Sequence, residues 1–327
     1  MSATLAQKII ARAAGRDLVV PGEVVTVGVD LAMIHDSGGP RRVEPILQEL
    51  GVGLWDPSKV VLISDHFVPG DTDEGARILA LTREWAAEQG VAVHEGEGIC
   101  HVVLPERGHL KPGMLVVGGD SHSPTGGAFG AYMFGVGATE MAGVLATGEI
   151  WLKVPETILL EWTGRLGHGV VAKDIMLALC GRLGMDGGRY QAVEYTGEAI
   201  SALSMQERMT LSNMAAELGA QAGLIAPDAT TYDFLRAAGA EVTKDEQLCT
   251  DAGAALGEHH VFDAGQLPPQ VAAPHSPANA MNVGDAPQTS LDVAYIGACT
   301  GAKYEDLKNA AEILRGRKLA AGITLLV

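Results

Sequence analysis

Four short groups of titratable side chains could carry chemistry in this sequence: His35-Asp36, Asp65-His66, His101 and Asp120-Ser121-His122. A lone histidine is more often a core or surface residue than a catalyst. Here three of the four groups set an aspartate beside or near a histidine. A carboxylate hydrogen-bonded to an imidazole fixes the ring's tautomer and raises its basicity, which is how a site that moves protons is built. The recurrence of the pairing, rather than any one residue, points to proton transfer.

Each group falls where a strand or loop hands over to the next element. The apolar run at 114–117 reads as a buried strand that stops at Gly118-Gly119 and releases Asp120-Ser121-His122. A loop with Gly126, Gly127, Gly130, Gly135 and Gly137 follows, backbone thin enough for a ligand to approach. The run KVVLI at 59–63 reads as a second buried strand, releasing Ser64-Asp65-His66. Residues 24–29 read as a strand ending at Asp30, with His35-Asp36 in a Ser-Gly-Pro turn, and 91–94 as a strand leading toward His101. Helices are predicted at 4–14, at 42–50 and after the capping Thr72, with Ile78, Leu81 and Trp85 on one face. Others are predicted at 138–147, at 172–183 around a core Cys180, after the capping box Ser204-Met205-Gln206-Glu207, and from Asp228. Met205, Met209, Met214 and Leu218 read as a core stripe. Glu194 lies on a strand at 191–195, and Cys249 in a polar stretch with no assigned role.

The 327 residues leave room for two or three compact units, and 47% hydrophobic content with 42 glycines suits an α/β class. A net charge of −17 argues against nucleic acid and anionic membrane as partners. Four widely spaced cysteines without a CxxC pair suit a reduced, cytoplasmic compartment, and neither a signal peptide nor a membrane-spanning run is expected.

The proline-rich stretch 268–287 reads as a linker. Beyond it, a strand at 291–296, a turn at Gly297-Ala298-Cys299-Thr300-Gly301, a helix at 304–314 and a strand at 322–327 make one βαβ unit, an expected incomplete domain. The expected organisation is therefore an α/β region over 1–285, built of two intertwined subdomains and including the linker, followed by 288–327. Cys299 sits where a strand meets a helix N-terminus, a place that favours the metal-binding thiolate; a buried free cysteine is the alternative.

With these motifs in order, the chain resembles the aconitase superfamily over nearly its whole length, most closely the large subunits of 3-isopropylmalate dehydratase and homoaconitase. The matching segments include SDHF, GEGICHVVLPERG, GGDSHSPTGGAFGAYMFGVGATE, AVEYTGEAI, MTLSNMAAELGAQAGLIAPD, PHSPAN and IGACTGAKYEDL. The resemblance implies a multi-domain α/β/α architecture with mixed or parallel sheets, and a hydro-lyase acting on a small hydroxy di- or tricarboxylic acid. It implies a [4Fe-4S] cluster whose open iron acts as a Lewis acid, with Cys299 as its first ligand. Two further cluster cysteines would come from a CxxC segment downstream, so a C-terminally truncated chain, inactive alone, is expected. The base and the substrate-gripping arginines would belong to a small, swivelling subunit. Carried over position by position, His35 and Ser121 would bind substrate. Asp65-His66 would protonate the departing hydroxyl, His101 would pair with Asp120, and His122 with Glu194. Two departures stand out: Gly301 replaces the family's usual Asn after Cys-Thr, and Ser123-Pro124-Thr125 follows the aconitase form. A cluster-free dehydratase and an inactive paralogue are the alternatives.

Overall fold

The computed structural model describes residues 2–327. Its centre is a parallel sheet of five strands, in the spatial order Ala92–Glu95, Val60–Ser64, Leu31–His35, Leu115–Gly118 and Tyr132–Gly135. Every residue of Leu31–His35, Val60–Ser64 and Leu115–Gly118 is buried, as expected where helices cover both faces of a sheet. Helices Pro40–Leu50 and Asp73–Gln89 are among those that cover it. Asp73–Gln89 starts where Thr72 accepts the Gly75 N–H, carries Asp73 and Glu74 in its first turn, and ends on left-handed Gly90. The strands share one direction, so the groups after His35, Ser64 and Gly118 emerge at the same edge. Crevices at the carboxyl ends of parallel strands are where α/β proteins place ligands.

A second parallel sheet has the order Ala222–Leu224, Ala192–Thr196, Thr157–Thr163 and Glu258–Asp263. Helices Ala172–Leu183 and Met205–Asn213 pack with it, the latter opened by the Ser204/Glu207 capping box. The sheets meet through the glycine-rich turn Ser123–Phe129. Ile225 N–H donates to the Gly127 carbonyl (3.0 Å), and Asn213 Nδ2 donates to Thr125 Oγ1 (2.9 Å). Gly127 lies so close to the Gly223 carbonyl that a Cβ would not fit. Arg208 is fully buried beneath this layer and donates to both oxygens of Asp228, at 2.7 and 2.6 Å.

The remaining strands form three pairs. Val24–Gly28 runs antiparallel to Glu149–Lys153, Gln270–Ala272 antiparallel to Ala280–Asn282, and Val293–Tyr295 parallel to Thr324–Leu326. The proline-rich stretch thus folds into a hairpin, tied to helix Ala172–Leu183 by the Gln270 N–H on Asp174 Oδ1 (2.7 Å). The final βαβ unit, with helix Tyr304–Leu314, docks through Lys303. Its Nζ donates to Thr210 Oγ1 and the Thr300 carbonyl, both at 2.8 Å. Besides this hairpin in place of a linker, three features depart from the sequence reading. Leu31–His35 is a central strand, so His35 ends a strand rather than sitting in a turn, His101 lies in the first turn of helix Cys100–Glu106, and Leu81 is exposed. Among the described residues no helix is long and apolar enough to cross a membrane.

Candidate active site

Asp36 follows a buried strand and is itself fully buried, and its carboxylate is spent on the neighbouring loop. One oxygen accepts the His66 N–H (3.2 Å) and the other the Phe67 N–H (2.9 Å), which fixes where Asp65-His66 can point. Asp65 Oδ2 accepts the Cys100 N–H (2.7 Å) and Oδ1 the His66 Nδ1–H (2.6 Å). Burial works to raise the Asp65 carboxyl, but the bonds from His66 and Cys100 hold it below the ordinary range. The same bond from Asp65 raises the His66 imidazole, so its protonated form is favoured.

His35 stacks on His66, with ring centroids 4.3 Å apart and planes 16° from parallel. Its Nδ1 accepts the Gly38 N–H (3.2 Å), so Nε2 carries the proton given to the Gly119 carbonyl (2.8 Å). Burial lowers its pKa and keeps the ring neutral. With both nitrogens committed to backbone, His35 acts on the site by orienting His66.

Asp120 is the hub of the other half. Its Oδ1 accepts from His101 Nε2 (2.9 Å) and from the His122 backbone N–H (2.8 Å), and Oδ2 lies 3.9 Å from His66 Nε2. Burial opposes its charge, yet His101 and His122 hold the carboxyl far below the usual carboxylate range. His101 is buried and its Nδ1 has no partner among the described residues. The His122 ring lies between Ser121 Oγ, 3.2 Å from Nδ1, and Glu217 Oε1, 3.1 Å from Nε2. Asp120 first and Glu217 second raise its pKa to about 10, so the imidazolium persists at neutral pH. Gly135 lies against this loop so closely that a Cβ would stand 2.6 Å from the Asp120 carbonyl oxygen.

The structure therefore gathers His35, Asp65, His66, His101, Asp120, Ser121 and His122. It corrects the pairing expected for Glu194. The carboxylate on His122 is Glu217, four residues past helix Met205–Asn213. Glu194 points from its buried strand toward Thr250, whose hydroxyl donates to it at 2.6 Å. Burial raises Glu194 to about 7. Sequence reasoning missed Glu217 and Asn213; the only signal was the Asn-Met-Ala-Ala-Glu spacing, which sets both on one face of a helical turn.

Cys299 reaches the edge of this site, its Sγ 3.6 Å from Asn213 Oδ1. A cluster of four irons takes thiolates from three or four cysteines. Cys180 is buried in the second core and Cys249 is exposed. Cys100 lies beside Asp65, where burial and then that charge push its thiol well above its usual pKa, the reverse of a ligand thiolate. The described residues thus supply one suited cysteine and by themselves do not fit such a cluster. Three sets of imidazole and carboxylate donors do converge within 4.8 Å: His35/His66/Asp120, His101/Asp120/His122 and Asp36/Asp65/His66. They are largely occupied in bonding one another, a pattern suited to fixing protonation states.

Comparison with known proteins bears on the same residues. The sequence signature of the aconitase family (aconitate hydratase) matches residues 8–327. The 3-isopropylmalate dehydratase large subunit 1 of Methanopyrus kandleri is 43% identical over 330 residues, covering 100% of this chain and 78% of that protein. A probable methanogen homoaconitase large subunit of Methanothermobacter thermautotrophicus is 42% identical over 99% of this chain and 76% of its own length. The 3-isopropylmalate dehydratase large subunit of Moorella thermoacetica is 41% identical over 100% of this chain and 78% of its own length.

Proposed function

The chain belongs to the aconitase family and is a hydro-lyase; from that premise we propose that it works as the large subunit of a 3-isopropylmalate dehydratase-type enzyme. Its substrate is a small hydroxy di- or tricarboxylic acid. The observation that carries this reading is the facing pair of acid–imidazole units, Asp65-His66 and Asp120 with His101 and His122, converging at the strand ends.

Dehydration removes a hydroxyl and a proton from adjacent carbons, and hydroxyl leaves readily only when it is protonated. His66 is the donor: Asp65 holds it protonated, and the neutral His35 ring fixes its plane. His122 keeps its proton well above neutral pH, so it serves as a fixed cation beside the Ser121 hydroxyl. There it meets a substrate carboxylate and does not take up the carbon-bound proton. The base for that proton is assigned to a small-subunit partner, consistent with the "large subunit" names of the relatives. A [4Fe-4S] cluster would supply Lewis-acid polarisation of the hydroxyl, with Cys299 as this chain's ligand and the other thiolates from outside the sequence. The protonation of the departing hydroxyl rests on this chain's own Asp65 and His66.

Anaerobic iron–sulfur reconstitution tests the reading, with the chain alone and with a small subunit and a CxxC-bearing segment supplied in trans. Iron content, visible absorption and hydration of unsaturated di- and tricarboxylic acids would be measured. Cluster formation and turnover in the complex alone support the proposal. Turnover without iron favours a cluster-free dehydratase, and no turnover in any combination overturns the reading.

A further inference from the structure

Helix Cys100–Glu106 delivers two groups to the site from its first turn: the Cys100 N–H on Asp65 Oδ2 (2.7 Å) and His101 Nε2 on Asp120 Oδ1 (2.9 Å). A helix of seven residues with Pro105 among them is too short to hold itself by its own hydrogen bonds. Its place must be fixed from outside. The loop before it, Gly96-Glu97-Gly98-Ile99, has two glycines at φ of 68° and 133° and does little of that fixing.

The far end of the helix is held by two imidazoles that the site's proton chemistry does not use. His109 follows the helix, its N–H on the Leu104 carbonyl (3.1 Å). Its Nε2 lies 2.8 Å from Nε2 of His94, which sits on the edge strand Ala92–Glu95 and pairs there with Ile63. The rings meet edge to face, with centroids 5.0 Å apart and planes at 67°. The other His94 nitrogen, Nδ1, lies 3.2 Å from Glu97 Oε1, and Arg107 Nε donates to Glu97 Oε2 at 2.6 Å. Sheet edge, loop and helix end are thus joined through His109, His94, Glu97 and Arg107.

Two Nε2 atoms at this distance can share one hydrogen and no more. In the neutral pair one nitrogen donates and the other accepts. One added proton leaves an imidazolium at His94, with Glu97 beside its Nδ1 and its Nε2–H still given to His109. A second proton sets two N–H groups and two positive charges face to face, and the contact must open.

We propose that His109 is a positioning residue for the active site: through His94 it anchors helix Cys100–Glu106 to the sheet edge, and a second proton on the pair frees Cys100 and His101 from Asp65 and Asp120. The role rests on the reading of Asp65 and Asp120 as the site's carboxylates. Glu97 and Arg107 are the charged groups bonded around the pair. Glu95, next on the strand, is taken by Arg83 of helix Asp73–Gln89, and the Ala-Gly-Ala segment 238–240 packed on Gly108 brings no charge. Burial, and then the His94 charge, hold the His109 imidazole below its ordinary 6.5. A pKa lowered on folding gives stability that is complete above 6.5 and is lost as pH falls from there to the lowered value. The anchor is therefore closed at neutral pH and opens in acid.

Amide hydrogen exchange on the full chain tests this, read as protection factors for 100–108 at about pH 7.5 and about pH 5, with strand Val60–Ser64 as the gauge of global stability. Wild-type protection of 100–108 should fall about tenfold or more in acid, the weight of one lost hydrogen bond. His109→Gln offers His94 either an N–H or an oxygen and takes no proton, so its protection should change by less than about threefold. His109→Phe keeps a ring without the contact and should be as unprotected at the higher pH as wild type at the lower. His94→Gln, the second variant at the contact, should be as insensitive to pH as His109→Gln. An equal acid loss in wild type and both Gln variants overturns the proposal, as does a wild type that stays protected in acid or a fall shared equally by Val60–Ser64. In the reconstituted complex, kcat should fall more steeply toward acid for wild type than for His109→Gln. The exchange measurement needs no turnover, so a complex without hydro-lyase activity would sink the functional reading and leave the anchor standing.

Discussion

Replacing Glu217 by Gln isolates the electrostatic part of the site, because the amide oxygen can still accept from His122 while the charge is gone. His122 rises from 6.5 to about 10, with Asp120 as the larger cause and Glu217 the next. An opposite charge at this distance is typically worth one to three pH units, and the His122 side chain keeps 26% exposure, which screens it. A fall in the His122 midpoint of about one to two pH units is therefore expected, equivalent to about 1.4 to 3 kcal/mol. The sign follows from linkage. A pKa raised on folding stabilises the fold fully below the unfolded value of 6.5 and loses that contribution as pH climbs through about 10. The variant should be destabilised by on the order of 2 kcal/mol at about pH 6 and by much less at about pH 11. NMR titration of the His122 ring and urea unfolding at the two pH values read the two halves separately. An unmoved His122 midpoint, or an equal loss of stability at both pH values, would refute the reasoning.

Other perturbations follow from the same structure. Glu194 is raised from 4.5 to about 7 by burial, so its stabilising contribution is complete below 4.5 and gone above 7. Glu194→Gln should thus gain about 3 kcal/mol relative to wild type between about pH 4 and pH 8, measured by urea midpoints. Arg208→Met removes the fully buried guanidinium that donates to both oxygens of Asp228, but Asp228 keeps 40% exposure, so water answers its charge and the cost should be about 1 to 3 kcal/mol in chemical denaturation. Gly135→Ala sets a methyl 2.6 Å from the Asp120 carbonyl oxygen. It should cost about 1 to 3 kcal/mol and reduce turnover more than global stability explains, as judged by comparing kcat with the thermal midpoint.

The legible parts of this molecule are those with local causes. VVLIS and LVVG announce buried parallel strands, and the polar groups that follow them had to surface at one sheet edge. Caps at Thr4, Thr72, Ser204 and Asp228 mark helix starts because each side chain answers N–H groups within its own first turn. The strand Leu31–His35 was hidden by the Ser-Gly-Gly-Pro turn signals just after it. Strands Glu149–Lys153 and Thr157–Thr163 lie on either side of Pro155, and their order depends on partners far along the chain. Glu217 was illegible for the same reason: its partner is 95 residues away, and its own neighbourhood reads as a methionine-rich core turn. Glu194 was the acid the motif resemblance offered, but a strand alternates its faces, and position 194 turns toward Thr250. Cys299 was legible as a strand-to-helix cysteine, whereas its approach to Asn213 follows from Lys303 docking the last unit on helix Met205–Asn213.

The central claim is that Asp120 organises an acid–imidazole site for removing and adding water. The direct measurement is turnover of a hydroxy acid to its unsaturated acid by the reconstituted complex, comparing wild type with Asp120→Asn. The account predicts a folded variant with turnover reduced by roughly a hundredfold to ten-thousandfold, the range for losing the carboxylate that orients catalytic imidazoles. A variant that turns over at the wild-type rate would contradict it.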